Sequence, residues 1–192
     1  MAIPETAVAQ SFGGVARLKN TRRLFVGPGM IDELATTATW VLQQTANVPE
    51  LFTTDGSTTN ILGIPFPGEY AQFAAEGSGA AVDRGIRIVA LELLYSVATS
   101  ALGAFTCDIF KLTFTEADGQ ETAATVASTD TFQGGATGVE IDDHRFQTLI
   151  AVRDRFFLGD TTSVYAEVNM TDGTASDIII RGAIWHYERV EE

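Results

Sequence analysis

From about position 84 onward, apolar and polar residues alternate with the period of two that marks half-buried strands. Residues 86–97 place Val89, Leu91, Leu93, Tyr95 and Val97 on one side, and Ala90, Glu92, Leu94 and Ser96 on the other. A small-residue connection at 98–103 leads to a second strand at 105–115. There Phe110, Leu112 and Phe114 face one way, and Lys111, Thr113 and Thr115 the other. Asp118-Gly119 tolerates the positive φ angles of a tight turn and so predicts a hairpin into 121–127. The alternation returns at 146–152 through Phe146, Thr148, Ile150 and Val152, and at 164–170 through Val164, Ala166, Val168 and Met170. After a turn at Asp172-Gly173, a long final strand is expected over 177–189.

The first third of the chain is patterned differently. Residues 1–30 lack sustained periodicity and contain Gly13-Gly14 and Gly27-Pro28-Gly29, which predicts an extended arm with one short strand near 23–26. Between 30 and 47 two periods compete. Ile31, Leu34, Ala35, Ala38, Val41 and Leu42 follow helical spacing, whereas Thr36, Thr37, Thr39 and Val41 are β-branched and favour strand. The balance tips to a strand over 36–43. Residues 48–82 are loop-like, with Pro49, Pro65 and Pro67-Gly68 and a short strand expected at 60–64.

Strands separated by Gly, Asp, Ser and Thr turns, with no convincing helix, predict an all-β fold. The expected form is an antiparallel, jelly-roll-like β-sandwich with an extended N-terminal arm. The expected organisation is a basic arm over 1–30, a loop-rich region with short strands over 31–82 and a sandwich body over 83–192. No repeat of fixed period points to a propeller or solenoid.

Composition narrows the class. The 192 residues are 45% hydrophobic and 19% charged, enough apolar material for a core. No apolar run approaches the roughly 18 residues of a membrane span, and the start lacks the pattern of a secretory signal, so neither is expected. Net charge is −13, yet residues 1–26 set Arg17, Lys19, Arg22 and Arg23 against Glu5 alone. An acidic body repels nucleic acid and anionic membrane, so neither is an expected partner. A basic arm on such a body suits docking on an acidic neighbour, which includes another copy of the chain.

Candidate chemistry is sparse. A hydrolytic triad needs His144 or His186 as base, and no Gly-x-Ser-x-Gly elbow is present. Cys107 alternates with apolar neighbours and reads as a small core residue. Asp142-Asp143-His144 groups three possible metal ligands, with His186 a possible fourth, but adjacent side chains of an extended chain point to opposite faces. A polar loop is the better reading, and no metal or other cofactor is expected. Trp185 and Tyr187 share a face of the last strand and read as packing, not as a binding patch. Phe156-Phe157-Leu158 lies between Asp154-Arg155 and Gly159-Asp160, where three apolar residues sit poorly on a monomer's surface. It is therefore expected at a subunit interface.

The run from Arg84-Gly-Ile-Arg-Ile-Val-Ala-Leu-Glu-Leu-Leu-Tyr to Leu102, then Ser163-Val-Tyr-Ala-Glu-Val-Asn-Met and Ile178-Ile-Ile-Arg-Gly-Ala-Ile-Trp-His-Tyr, resembles small β-sandwich virion proteins of tailed bacteriophages. The likeness spans about residues 84–190 and lies in small residues, Thr-rich strands and a late final strand. That group includes capsid decoration or cement proteins, head fibres and tail appendages. The resemblance implies a non-enzymatic, homotrimer-like structural subunit on the capsid surface, made in the host cytoplasm and clamped to the major capsid protein by its arm. It brings no catalytic residues with it, because the group shares no catalytic motif. The alternative is a receptor- or carbohydrate-binding fibre or tail module, for which Trp40, Tyr70 and Trp185 are the obvious aromatic supply.

Overall fold

The structure is a computed structural model that describes residues 8–12, 15–18, 21–36, 39–53, 59–67, 85–114, 121–133, 137–159, 161–172 and 177–190. Every regular element among them is a strand, apart from short 3-10 turns at Pro28–Met30 and Val152–Asp154. In chain order the first seven strands are β1 (Val8–Phe12), β2 (Val15–Leu18), β3 (Arg22–Val26), β4 (Asp32–Thr36), β5 (Val41–Thr45), β6 (Val48–Thr53) and β7 (Thr59–Pro65). The body follows with β8 (Gly85–Ala98), β9 (Leu102–Phe114), β10 (Glu121–Val126), β11 (Ser128–Phe132), β12 (Asp142–Ile150), β13 (Thr162–Asp172) and β14 (Asp177–Val190).

All pairings are antiparallel, and they build two main sheets. The larger has the order β11-β12-β8-β14-β6-β5, with β3 also on β14, and the smaller β10-β9-β13-β7-β4. Within them, β6-β14-β8-β12 and β7-β13-β9-β10 form two four-stranded layers. The chain starts in one layer at β6, crosses to β7, returns at β8, and ends with β13 in one and β14 in the other. This is the double Greek-key winding of a jelly roll. The expected antiparallel sandwich is what the chain forms.

The inward faces carry the alternation seen in the sequence. Leu91, Leu93, Tyr95 and Val97 of β8 are buried with Phe146 of β12 and Ile178, Ile180 and Trp185 of β14. The smaller sheet answers with Leu62, Ile64, Cys107, Ile109, Val164, Ala166, Val168 and Met170. Burying a side chain of this size is worth about 1.5–3 kcal/mol. Phe105 stacks on Tyr95 at 5.0 Å between centroids and meets Phe146 edge-on at 4.9 Å. In β9 the core face is thus that of Phe105, Cys107 and Ile109. Phe110 lies on the opposite face, stacked on Tyr165 at 5.1 Å.

The 36–43 strand expected from the sequence divides into two. β4 ends at Thr36 and joins the smaller sheet beside β7, whereas β5 starts at Val41 and joins the larger sheet beside β6. Of the apolar positions that mimic helical spacing, Leu34 and Ala35 belong to β4 and Val41 and Leu42 to β5, in different sheets. β11 has no counterpart among the strands expected from the sequence, and an edge strand with one ladder partner needs few apolar residues. The described part of residues 1–30 comprises the β1–β2 hairpin, which approaches β12 through β2, and β3 on the larger sheet.

Candidate functional site

Two places concentrate chemistry, one buried and one exposed. The buried one begins at Glu92, on the outward face of β8. Its carboxylate takes two hydrogen bonds at Oε2 from Arg145, from Nη2 at 2.7 Å and Nε at 3.1 Å. Oε1 accepts from Gln147 Nε2 at 3.3 Å and from His186 Nε2 at 2.9 Å. Pairing accounts for the convergence: Glu92 is opposite Gln147 of β12 and Ile184 of β14, so Arg145 and His186 stand one same-face step away. An ionised carboxylate only accepts, so His186 Nε2 carries the proton it shares with Glu92. Its Nδ1 then faces the Thr21 hydroxyl at 3.4 Å.

Glu92 is 2% exposed. Burial pushes its carboxyl up, but the hydrogen bonds from His186 and Arg145 outweigh burial and hold it below the ordinary value. With both oxygens engaged by the chain's own donors, the cluster acts as a register lock for β8, β12 and β14. A one-residue slip would turn Glu92 into the apolar core.

Asp142, Asp143 and His144 open β12 instead of forming the polar loop expected there, because they pair with Val97, Ser96 and Tyr95 of β8. Asp143 accepts from the Ser96 hydroxyl and from Arg181 at 2.9 Å, and both donors hold its carboxyl low. His144 Nε2 donates to the Glu140 carbonyl at 2.7 Å, and His186 belongs to Glu92. Cys107 is buried, and burial pushes its thiol well above the ordinary value.

Phe156-Phe157-Leu158 packs on the chain's own body. Leu158 is 1% exposed, its N–H donates to the Ile86 carbonyl, and Ile88 N–H donates to the Phe156 carbonyl. Lys111 lies over the Phe156 ring and Arg87 over that of Phe157. Glu188 ties the segment down by accepting from both Arg87 and Arg155. Of the triplet expected at a subunit interface, only Leu158 is fully covered by the chain itself, and Phe156 and Phe157 stay partly exposed. Periodicity shows that an apolar run needs cover but not which chain supplies it.

The exposed site is the flank formed by β3, the Pro28–Met30 turn, β5, β6 and β4. Six of the nine exposed large hydrophobic side chains among the described residues lie there: Phe25, Met30, Leu34, Val41, Leu42 and Val48. Arg22 and Arg23 of β3 are exposed beside them, and neither forms an ion pair among the described residues. Of the other two arm cations, Arg17 falls in β2 and Lys19 lies outside the described residues. Sequence alone picks out the arginines but not the apolar flank, because its residues are scattered singly through short elements. Trp40 and Trp185 are buried, at 7% and 0% exposure, and Tyr70 lies outside the described residues.

No family model and no curated protein sequence matches this chain. Among solved structures it is similar to the CBM22-1–GH10 modules of Clostridium thermocellum endo-1,4-β-D-xylanase 10B, in complex with xylohexaose, at 11% identity and a TM-score of 0.39, covering 90% of this chain and 28% of that one. The Agl-KA catalytic domain matches at 11% identity and a TM-score of 0.32, over 99% of this chain and 30% of that one. Infectious bursal disease virus Gt strain matches at 11% identity and a TM-score of 0.32, over 98% of this chain and 36% of that one. The chain spans little more than a third of these proteins at most, and the jelly-roll assignment rests on its own strand order.

Proposed function

We propose that this chain is a structural virion protein of a bacteriophage, a capsid decoration or cement subunit that self-associates and docks on the major capsid protein without catalysing a reaction. The observation that supports it is on the flank just described: exposed Arg22 and Arg23 share β3 with exposed Phe25, with Met30 in the turn that follows, on a chain whose net charge is −13. Elsewhere the acidic surface repels acidic neighbours, so Arg22 and Arg23 select the docking face, and Phe25 and Met30 lose water once it is seated. Arginine with large apolar side chains is the composition that protein interfaces favour. The sugar-binding alternative draws no support from Trp40 and Trp185, which are spent on the core.

Co-sedimentation with capsids assembled from the major capsid protein encoded alongside this chain tests the reading. Truncation of residues 1–26 is a poor probe, because Val26 is fully buried and β3 pairs with β14. The double variant Arg22→Glu/Arg23→Glu keeps the strand and reverses the charge. Wild-type protein is expected to pellet with capsids, and the variant to lose at least tenfold in affinity while unfolding at the wild-type temperature. Wild-type protein that stays in the supernatant overturns the proposal, and a variant that binds at full affinity removes the arginines from it.

A further inference from the structure

β5 is the terminal strand of the larger sheet and has β6 as its only ladder partner among the described residues. Free edges are normally blunted by charge. The other edge strands conform: Glu121 in β10, Asp130 in β11, Asp32 and Glu33 in β4, Arg22 and Arg23 in β3. β5 reads Val-Leu-Gln-Gln-Thr, with no charge and no proline.

The β5–β6 turn fixes which backbone groups face outward. Ala46 and Asn47 have φ of 51° and 68°, the signature of a two-residue type I′ turn. Thr45 and Val48 flank it and form a hydrogen-bonded pair, and alternation makes Gln43–Glu50 and Val41–Phe52 the next such pairs. Gln44–Pro49 and Leu42–Leu51 are then the non-bonded pairs, a position that suits Pro49, which has no N–H to give. The N–H and C=O of Leu42 and Gln44 therefore point away from β6.

We infer that β5 pairs antiparallel with β5 of a second copy, about a two-fold axis at Gln43, so that one sheet runs through both chains. In that register Leu42 faces Gln44 of the partner subunit, and the reverse, so all the outward groups are used in about four backbone hydrogen bonds. The charge pattern selects a second copy as occupant. Two chains of net charge −13 repel over most of their surfaces, and β5 is an edge where they can meet without opposing like charges. Half-exposed Val41 and Leu42 are covered by the same contact. The inference deepens the self-association in the proposal above and is tested on free protein, so loss of capsid docking and loss of pairing are separate results.

The experiment is light scattering on size-separated protein, wild type against Gln44→Pro and Gln44→Lys. Proline removes an outward N–H and no bond to β6, and lysine adds charge to an exposed edge position, so both variants keep the monomer fold by circular dichroism. The wild-type particle is expected to hold an even number of chains and to halve in mass in both variants. Added salt strengthens the pairing by screening the acidic bodies. Amide exchange at Leu42 and Gln44 slows in the wild-type particle and speeds up in Gln44→Lys. A wild-type monomer or trimer overturns the inference, as does an even particle whose mass both variants preserve.

Discussion

Glu92 and His186 stand 94 residues apart in the chain and 2.9 Å apart in the fold, on the outward face of the larger sheet. Arg145 and Gln147 complete the set from the other neighbouring strand. Replacing Glu92 with leucine leaves three donors without their acceptor. The expected loss is about 2–4 kcal/mol, at the lower side of a broken buried pair because Arg145 is partly exposed. Glu92→Gln keeps shape and one acceptor and is expected to cost about 1–2 kcal/mol. Urea unfolding of the two variants measures both.

The same carboxylate shapes the acid limb of stability. Burial raises its pKa, but bonds from His186 and Arg145 bring it below the ordinary 4.5. A group whose pKa is depressed by folding adds stability above its unfolded pKa and loses it as pH falls through the folded value. Stability of the wild type is therefore expected to fall below pH 4.5 more steeply than that of Glu92→Gln. Equal slopes in the two pH profiles would remove Glu92 from the acid transition.

Ala46 adopts φ of 51°, where a Cβ costs about 1 kcal/mol. Ala46→Gly is expected to stabilise the protein by about 0.5–1 kcal/mol, read as a higher urea midpoint at unchanged slope.

Gly182 takes φ of 133° at an irregularity in β14, and a Cβ there would come within 2.7 Å of the Phe25 ring and 2.9 Å of the Val26 carbonyl. Gly182→Ala is expected to destabilise by about 1–3 kcal/mol and to loosen β3 first. Faster amide exchange over Leu24–Val26 than over β8 is the diagnostic.

Cys107 is buried with its thiol pushed up, so a thiol reagent is expected to label it at the rate of unfolding and promptly in guanidinium. Rapid labelling of native protein would place it at a surface.

The long strands are legible in the sequence because each buries one face, and a period of two sustained over ten or more residues does not fit the 3.6-residue turn of a helix. β8 also carries a subtler signal. Glu92 lies inside a nearly unbroken apolar run from Ile86 to Val97, and a charge in a strand buried on both faces must meet partners. His186 stands out for its chemistry, but nothing local reveals that β14 lies beside β8, so its acceptor stays hidden until the strands are paired. The β4–β5 division is illegible for a similar reason. Ala35 to Val41 has no strong breaker, and only the two-layer winding puts its ends in different sheets.

β14 pairs with β8, β6 and β3 and comes last among the described strands. On a translating ribosome, β6 and β3 therefore wait for their shared neighbour while more than a hundred residues emerge, since β3 ends at Val26 and β14 begins at Asp177. Their apolar flank and the uncharged β5 edge stay uncovered through that interval. Such long-range closure is slow, and nascent chains clustered on one message would be the first second copies that edge encounters.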